Sequence, residues 1–235
     1  MKTKHLLLTV FAILFSGLFN YSSAQYSQWN LGFEGGPSAT FTVGNDAVDL
    51  DTKPDFGFLA GIFGQYNFNS TYSLKLAANY QQKGSKLEIS QQDLKGYDYV
   101  LDGKIKLEYI TIPLLFRGTF GSSNVKFFVN AGPYLGILMT NKTTINANSQ
   151  YNEPGRTVDN TDSTKSTDFG VSAGLGLQIP IATKSALTFE IRDDIGLTNI
   201  SDYTSDGSTK TNSLSFIVGL TFGAGKQYGI QKKTY

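Results

Sequence analysis

The residue types that most often carry catalysis are scarce in this chain of 235 residues. It contains one histidine, His5, and no cysteine, which excludes disulfides, thiol chemistry and thiolate metal sites. Glu190, Arg192 and Asp194 come nearest to a reactive cluster, because two carboxylates could act as acid and base. Charges at alternate positions of one strand more simply form a salt-bridged ladder. We therefore predict no catalytic residue in this cluster.

These three residues belong to a larger set of charged side chains that share the inward face of a predicted barrel. The set consists of Glu34, Lys75, Arg117, Asp168, Glu190, Arg192 and Asp194. The interior of an eight-stranded barrel is just wide enough for side chains to fill, so opposite charges there can neutralise one another as a polar plug. We predict this structural role, with no cofactor and no bound metal. A selective path for protons or ions through the same residues is the alternative.

Eight segments with period-two alternation must position these charges. They span residues 29–42, 56–69, 72–84, 105–118, 125–139, 167–180, 186–198 and 212–223. These segments are longer than most soluble strands and suit tilted strands that cross a bilayer. The sixth and eighth have one apolar face and one face of small or polar residues, which leaves room inside a narrow barrel. We predict an all-β fold, an eight-stranded antiparallel transmembrane β-barrel of up-and-down topology.

The connections between these segments alternate in length. Short ones lie at 70–71, 121–124 and 181–185, and long polar ones lie at 43–55, 85–104, 141–166 and 199–211. A barrel with both termini in the periplasm requires this order, because every second connection faces the cell exterior. The longest is rich in Asn, Thr, Ser and Asp, which predicts a mobile external loop.

The second long connection is the best candidate for a binding surface. Residues 86–90 continue the alternation of the third strand, and Tyr97, Tyr99, Val100 and Leu101 approach the fourth. We expect these two strands to project beyond the bilayer as a ribbon, to whose edge a partner strand could add. A hairpin that pairs only with itself is the alternative.

The first long connection carries an acidic run. The run of Asp46, Asp49, Asp51 and Asp55 could hold calcium but lacks the EF-hand spacing, so we predict a solvated loop.

Aromatic residues near the strand ends are predicted to form girdles at the membrane interfaces, with packing in a soluble core as the alternative. They are Trp29, Tyr66, Phe68, Tyr72, Tyr109, Phe116 and Phe127.

The first 24 residues have the features of a secretory signal. Lys2 and Lys4 precede an apolar run over 6–19, which is shorter than a membrane-spanning helix, and small residues lead to a cleavage point after Ala24. We predict a signal peptide over 1–24, a barrel domain over 25–223 and a C-terminal tail over 224–235. Removing the signal changes the formal net charge from +1 to about −1, which points to no nucleic-acid partner.

Five short strings occur in the order and spacing of a known family. They are GFLAG at 57–61, YQQKG at 80–84, LEYITIPLL at 107–115, NAGPYLG at 130–136 and GLTNI at 196–200. Together they resemble the small outer-membrane β-barrel family typified by PorT, found in Bacteroidetes-type bacteria. The resemblance implies an outer-membrane barrel and transfers no activity.

We therefore predict a monomeric, non-catalytic outer-membrane barrel, surrounded by outer-membrane lipid, with a structural or loop-mediated binding role. That role would be envelope integrity, adhesion, or participation in a secretion or uptake assembly, with a protein partner at the external loops 85–104 and 141–166. A soluble periplasmic carrier of the lipocalin type is one alternative, and it would have an apolar interior. An outer-membrane enzyme is the other, and it would have to work without a histidine, since His5 lies in the predicted signal.

Overall fold

The computed structural model describes residues 26–43, 53–92, 98–121, 125–146, 155–182, 184–201 and 208–228. The strands are β1 Tyr26–Val43, β2 Lys53–Asn67, β3 Tyr72–Gln92, β4 Asp98–Gly121, β5 Lys126–Ile145, β6 Arg156–Asp159, β7 Thr167–Ala182, β8 Ser185–Gly196 and β9 Lys210–Tyr228. Among these residues, no helix is long and apolar enough to cross a membrane. The predicted signal, residues 1–24, lies outside the described residues.

Eight of the nine strands close into an antiparallel barrel. Each pairs with its sequence neighbour, except that β5 passes over β6 to pair with β7. The last strand returns to the first, with a register that runs from Tyr26 opposite Tyr228 to Val43 opposite Lys210. The strand β6 lies outside this ring and, among the described strands, pairs with β5 only. The predicted eight-stranded up-and-down barrel is confirmed.

The two faces of the barrel wall are reversed relative to a soluble protein. Leu31, Phe33 and Ile62 point outward and are 57%, 62% and 59% exposed. The largest fully buried side chains include Arg117, Arg192 and Lys75. An apolar exterior and a charged interior follow from the period of two along each strand and suit a barrel surrounded by lipid. They disagree with the soluble carrier, which would have an apolar interior.

Six of the seven predicted girdle aromatics lie around the end of the barrel that carries the short turns. Trp29 contacts Tyr66 edge to face at 4.8 Å between ring centroids, and Tyr66 in turn contacts Phe68 at 5.3 Å. The prediction for Tyr109 was wrong, because this ring is fully buried inside the barrel. It lies eight positions before Arg117 on β4, and an even spacing places both on the inward face.

Several strands run further than predicted towards the long-loop end. The third strand continues to Gln92 and the fourth begins at Asp98, while β5 continues to Ile145. This extension of β5 gives β6 its partner, so the described part of connection 141–166 holds a strand and a short 3-10 turn, Thr161–Ser163, where we predicted only a loop. At the other end, β9 runs past its predicted end at Gly223 to Tyr228.

Gly132 lies where β4 and β5 approach too closely for a side chain. A methyl group there would overlap the carbonyl oxygen of Leu114, which belongs to the backbone and cannot move aside. We expect Gly132→Ala to lower the free energy of unfolding by about 1–3 kcal/mol, as overpacking does elsewhere. The measurement is a urea titration of the protein in detergent micelles.

Gly64→Ala is the matched control for this change. A methyl group at Gly64 meets only the Leu31 side chain, at 3.7 Å, which is ordinary contact. Alanine is also preferred over glycine within a strand, so the control should be neutral or slightly stabilising. Equal losses in the two variants would contradict the steric explanation.

Candidate functional site

Five charged side chains from four strands meet at the centre of the barrel. Glu34 of β1 accepts from Lys75 of β3, with 2.5 Å between Nζ and Oε2, and from Arg192 of β8 at 3.1 Å. Glu190 of β8 accepts from Arg192 Nε at 2.6 Å, from Arg117 Nη2 of β4 at 3.3 Å, and lies 3.5 Å from Lys75 Nζ. We call these five residues the central network.

Amide and aromatic side chains complete the central network. Asn79 donates to Glu34 Oε1 at 3.0 Å, and Asn130 donates to Glu190 Oε1 at 3.1 Å. The Phe63 ring lies 4.4 Å from Lys75 Nζ, and the Phe128 ring lies 3.8 Å from the guanidinium carbon of Arg117. Burying a charge is costly unless it is paired and hydrogen-bonded, and these contacts meet that requirement for both carboxylates.

Inward-facing glycines make room for the rings of the central network. A side-chain carbon on Gly32 would occupy the position of the Phe63 ring, and one on Gly176 would occupy that of Phe128. The glycines that the sequence places on the inward face therefore have a packing role, because the barrel is too narrow for two large residues at one level.

A second group of charges lies nearer the long-loop end. Asp168 of β7 accepts from Lys83 of β3 at 3.1 Å, from the Tyr134 hydroxyl at 3.0 Å and from Thr211 at 2.7 Å, all at Oδ2. Its other oxygen accepts from Thr198 at 3.0 Å, in the connection that follows β8. We call Lys83, Asp168 and their hydroxyl partners the outer network.

All seven sequence-predicted site residues are buried, and the structure divides them between these two levels. Glu34, Lys75, Arg117, Glu190 and Arg192 form the central network, whereas Asp168 and Asp194 lie nearer the long-loop end. Asp194 is separate from Lys83 and accepts from Ser172 at 2.5 Å and Gln81 at 3.0 Å.

Lys83 is the functional residue that sequence reasoning missed. It follows Lys75 by eight positions on the same strand, so the same alternation places it on the inward face. The central network has three cations and two carboxylates. Nearer the long-loop end, Lys83 pairs with Asp168, and Asp194 is a further buried carboxylate. With Lys83 included, four cations balance four carboxylates, and the interior carries no net charge from these residues.

Apolar side chains pack together on one side of the barrel, near the outer network. Leu107, Tyr109 and Ile200 form a buried cluster, with Ile105 and Leu138 packed against it. Ile200 comes from the connection after β8, which is held in place by a hydrogen bond from Lys165 N to Ile200 O at 2.9 Å. This cluster covers one side of the barrel only, because Thr42 and Ser85, which are also buried near this end, are polar and hydrogen-bonded to each other.

One string in β7 has the form Gly-x-Ser-x-Gly, which is the pattern of a nucleophile elbow. It is Gly170 to Gly174, with Ser172 at its centre. The elbow requires a sharp turn between a strand and a helix, and a histidine partner. Ser172 instead lies within a strand, fully buried, and donates to Asp194. The string therefore has a packing role here.

The acidic run of the first long connection is described only at Asp55. Its carboxylate is mostly buried and pairs with Lys104 at 2.6 Å, so this member is neutralised and not solvated as predicted. Asp46, Asp49 and Asp51 lie outside the described residues. Among the described residues, no group of three or more His, Cys, Asp or Glu side chains could hold a metal ion.

A four-stranded sheet extends from the barrel at the long-loop end. It consists of the ends of β3, β4 and β5, with β6 at its edge, and we call it the external sheet. The chain turns after β6 through Asp159, whose side chain accepts from both the amide and the hydroxyl of Thr161. These hydrogen bonds hold the pKa of Asp159 below its usual value.

A closed barrel of eight tilted strands, apolar outside and charged inside, defines the class of membrane-spanning β-barrels. Residues 22–202 match the family model described as "Outer membrane protein beta-barrel domain". The chain belongs to this family and is an outer-membrane β-barrel protein.

Solved structures of small outer-membrane barrels are similar over most of the chain. Neisserial surface protein A is 13% identical with a TM-score of 0.45, and the match covers 84% of this chain and 98% of that one. Ail, the attachment invasion locus protein of Yersinia pestis, is 14% identical with a TM-score of 0.37, over 84% and 99%. OprG of Pseudomonas aeruginosa is 15% identical with a TM-score of 0.39, over 87% and 98%. No curated protein matches. The assignment to the family rests on the match to the family model, because the sequence identities and TM-scores of these structures are low.

Proposed function

We propose that this outer-membrane barrel is a closed, non-catalytic scaffold that presents the external sheet to a protein partner, which binds by adding a strand. The observation that carries the proposal is the one-sided projection of β3, β4 and β5 beyond the barrel. The protein would act as a monomer within outer-membrane lipid, and its role would be adhesion or assembly.

The strands on one side of the barrel are much longer than the barrel wall itself requires. From Lys83, at the level of the outer network, β3 continues nine residues to Gln92, which spans about 30 Å at the rise of a strand. On the opposite side, β9 begins at Lys210, next to Thr211 of the outer network. Among the described residues, a projection of this length occurs on the side of β3, β4 and β5, and closing the barrel does not require it.

The external sheet has two edges at which backbone groups could receive another strand. Among the described residues, Lys86 is the last residue of β3 that pairs with β2, and Leu87 to Gln92 pair with β4. Among the described strands, β6 pairs with β5 on one side, and its four residues are exposed. Unpaired strand edges are templates for the addition of a partner strand.

Site-specific crosslinking on intact cells tests this proposal. A photo-crosslinking amino acid at Ser90 or Gln91, two adjacent positions that sample both faces of β3, should give an adduct with one protein. The same amino acid at Asn69, in a short turn, should not give that adduct. The absence of an adduct at both β3 positions, or the same adduct from Asn69, would contradict partner binding at the external sheet.

The place in the PorT-type family, the cleaved signal and the non-enzymatic role are supported by the sequence. The five strings at 57–61, 80–84, 107–115, 130–136 and 196–200 support a place among the PorT-type barrels. Lys2, Lys4 and the apolar run that follows support a signal cleaved after Ala24. The absence of histidine after residue 5 supports a non-enzymatic role.

A further inference from the structure

The barrel contains a polar cavity at the short-turn end, below the central network. Its volume is about 120 Å³, and its lining includes Asn30, Asn67, Thr119, Lys126, Lys184 and Ser185. We call this cavity the short-turn vestibule. At about 30 Å³ per water molecule, it has space for roughly four waters or one small ion with part of its hydration shell.

The charge around the short-turn vestibule has one sign. Lys126 and Lys184 line it, and none of the described residues that line it is acidic. Lys126 is half-buried, and within the described part of the chain no carboxylate lies within ion-pairing distance of it.

The central network adds to this positive potential. It contains three cations and two carboxylates, and the carboxylate that balances the third cation, Asp194, lies nearer the long-loop end. On the described strands, the carboxylates nearest to the short-turn end are Glu34 and Glu190, and both are engaged by cations. Low-dielectric walls around charges of one sign concentrate counter-ions in such a cavity.

Two buried hydrogen-bond donors lie next to the short-turn vestibule without a partner. They are Arg117 Nε and Ser73 Oγ. Arg117 donates through Nη1 to Gln65, a lining residue, at 3.3 Å. Ser73 lies opposite Asn67, another lining residue, on one side and opposite Arg117 on the other. Buried polar groups without partners are rare in folded proteins. These two residues adjoin the cavity through the lining residues Gln65 and Asn67, and they are not themselves part of its lining.

We propose that the short-turn vestibule binds a phosphate group. A tetrahedral anion offers several acceptor oxygens to the two ammonium groups and to the hydroxyl and amide donors that line the cavity. The group would come either from a small soluble phosphate or from a phospholipid headgroup at the edge of the barrel. This site lies at the opposite end from the external sheet and is independent of partner binding there.

A titration with inorganic phosphate tests the site. The full-length protein in octyl glucoside, which contains no phosphate, should broaden the 31P NMR signal of inorganic phosphate in a saturable way. Lys126→Met and Lys184→Met should each weaken binding by about tenfold, the scale of one charge-assisted hydrogen bond. Lys142→Met, which removes a lysine at the long-loop end, should leave binding unchanged.

Two results would overturn the proposal. One is broadening that rises linearly without saturation. The other is an equal loss in the Lys142→Met control, which would show attraction to the total charge. Each variant must keep the heat-dependent mobility on gels that marks a folded barrel, and two independent lysines keep the test valid if one of them fails to fold.

A second arm separates the two sources of phosphate. The same titration is repeated in nanodiscs of phosphatidylglycerol. Weaker apparent binding of inorganic phosphate there than in detergent, with no such difference in Lys126→Met, assigns the site to a lipid headgroup. Equal binding in both environments assigns it to a soluble phosphate. Either result supports the site, provided that saturable binding is seen in detergent.

Discussion

Glu190→Gln should lower the free energy of unfolding by about 3–5 kcal/mol, the usual cost of removing one partner from a buried ion pair. Glu190 contacts Lys75, Arg117 and Arg192, and all four side chains are almost fully buried. The substitution leaves three cations with a single carboxylate, Glu34. A urea titration in detergent micelles, followed by the fluorescence of Trp29, the only tryptophan, measures the change.

Glu108→Gln is the matched control for Glu190→Gln. Glu108 pairs with Lys106 at 2.7 Å, a distance close to that between Glu190 and Arg192, but both side chains are partly exposed to solvent. Exposed ion pairs contribute about 0–1 kcal/mol, because solvent screens them and two long side chains must be ordered. If the two variants lost equal stability, burial would not be the source of the effect.

Lys83→Met should also be strongly destabilising, by about 3 kcal/mol or more. Among the described residues, it leaves Asp168 buried without a countercharge and bonded to the hydroxyl groups of Tyr134, Thr198 and Thr211. Asp168→Asn removes the remaining charge, so the double variant should recover part of the loss. The same urea titration on both single variants and the double variant gives the coupling energy.

Additive losses in this cycle would mean that Lys83 and Asp168 do not stabilise each other. A useful reference is Lys142→Met, since Lys142 lies on the exposed part of β5. Its removal should change stability by less than about 0.5 kcal/mol, as for most surface substitutions. A loss of similar size at both lysines would instead point to a general effect of lowering the positive charge.

The inward position of charged residues could be predicted because the period of a strand is two, whatever the strand pairs with. That rule places Glu34, Lys75 and Arg117 on the inner face without knowledge of the partners they meet there. The same rule places Lys83 and Tyr109 on the inner face. Lys83 was absent from the predicted set of inward charges, and Tyr109 was predicted to lie in a girdle because it is aromatic. Which cation meets which carboxylate depends on register and tilt between distant strands, and a single sequence does not specify these.

The external sheet was harder to predict than the barrel. Within the bilayer, the lipid-facing side of each strand must be apolar, so apolar and polar residues alternate clearly along the sequence. Outside the bilayer, both faces of a strand can be polar without cost, and this alternation disappears. The ribbon of β3 and β4 was still recognisable, because Leu87 and Ile89 continue the alternation. The strand β6 has no such pattern over its four residues and depends on the extended part of β5 for its pairing.

The central network brings together charges from the start and the end of the chain, and this affects how the barrel folds. Its charges come from β1, β3 and β4 near the start of the chain and from β8 near the end, and Arg192 bonds to Glu34 across 158 residues. A chain that has folded only its first four strands carries Glu34, Lys75 and Arg117 without Glu190 or Arg192. Such an intermediate would expose unpaired charge on the face that the finished barrel encloses. Insertion and closure should therefore occur as one cooperative event, with no stable half-barrel along the way.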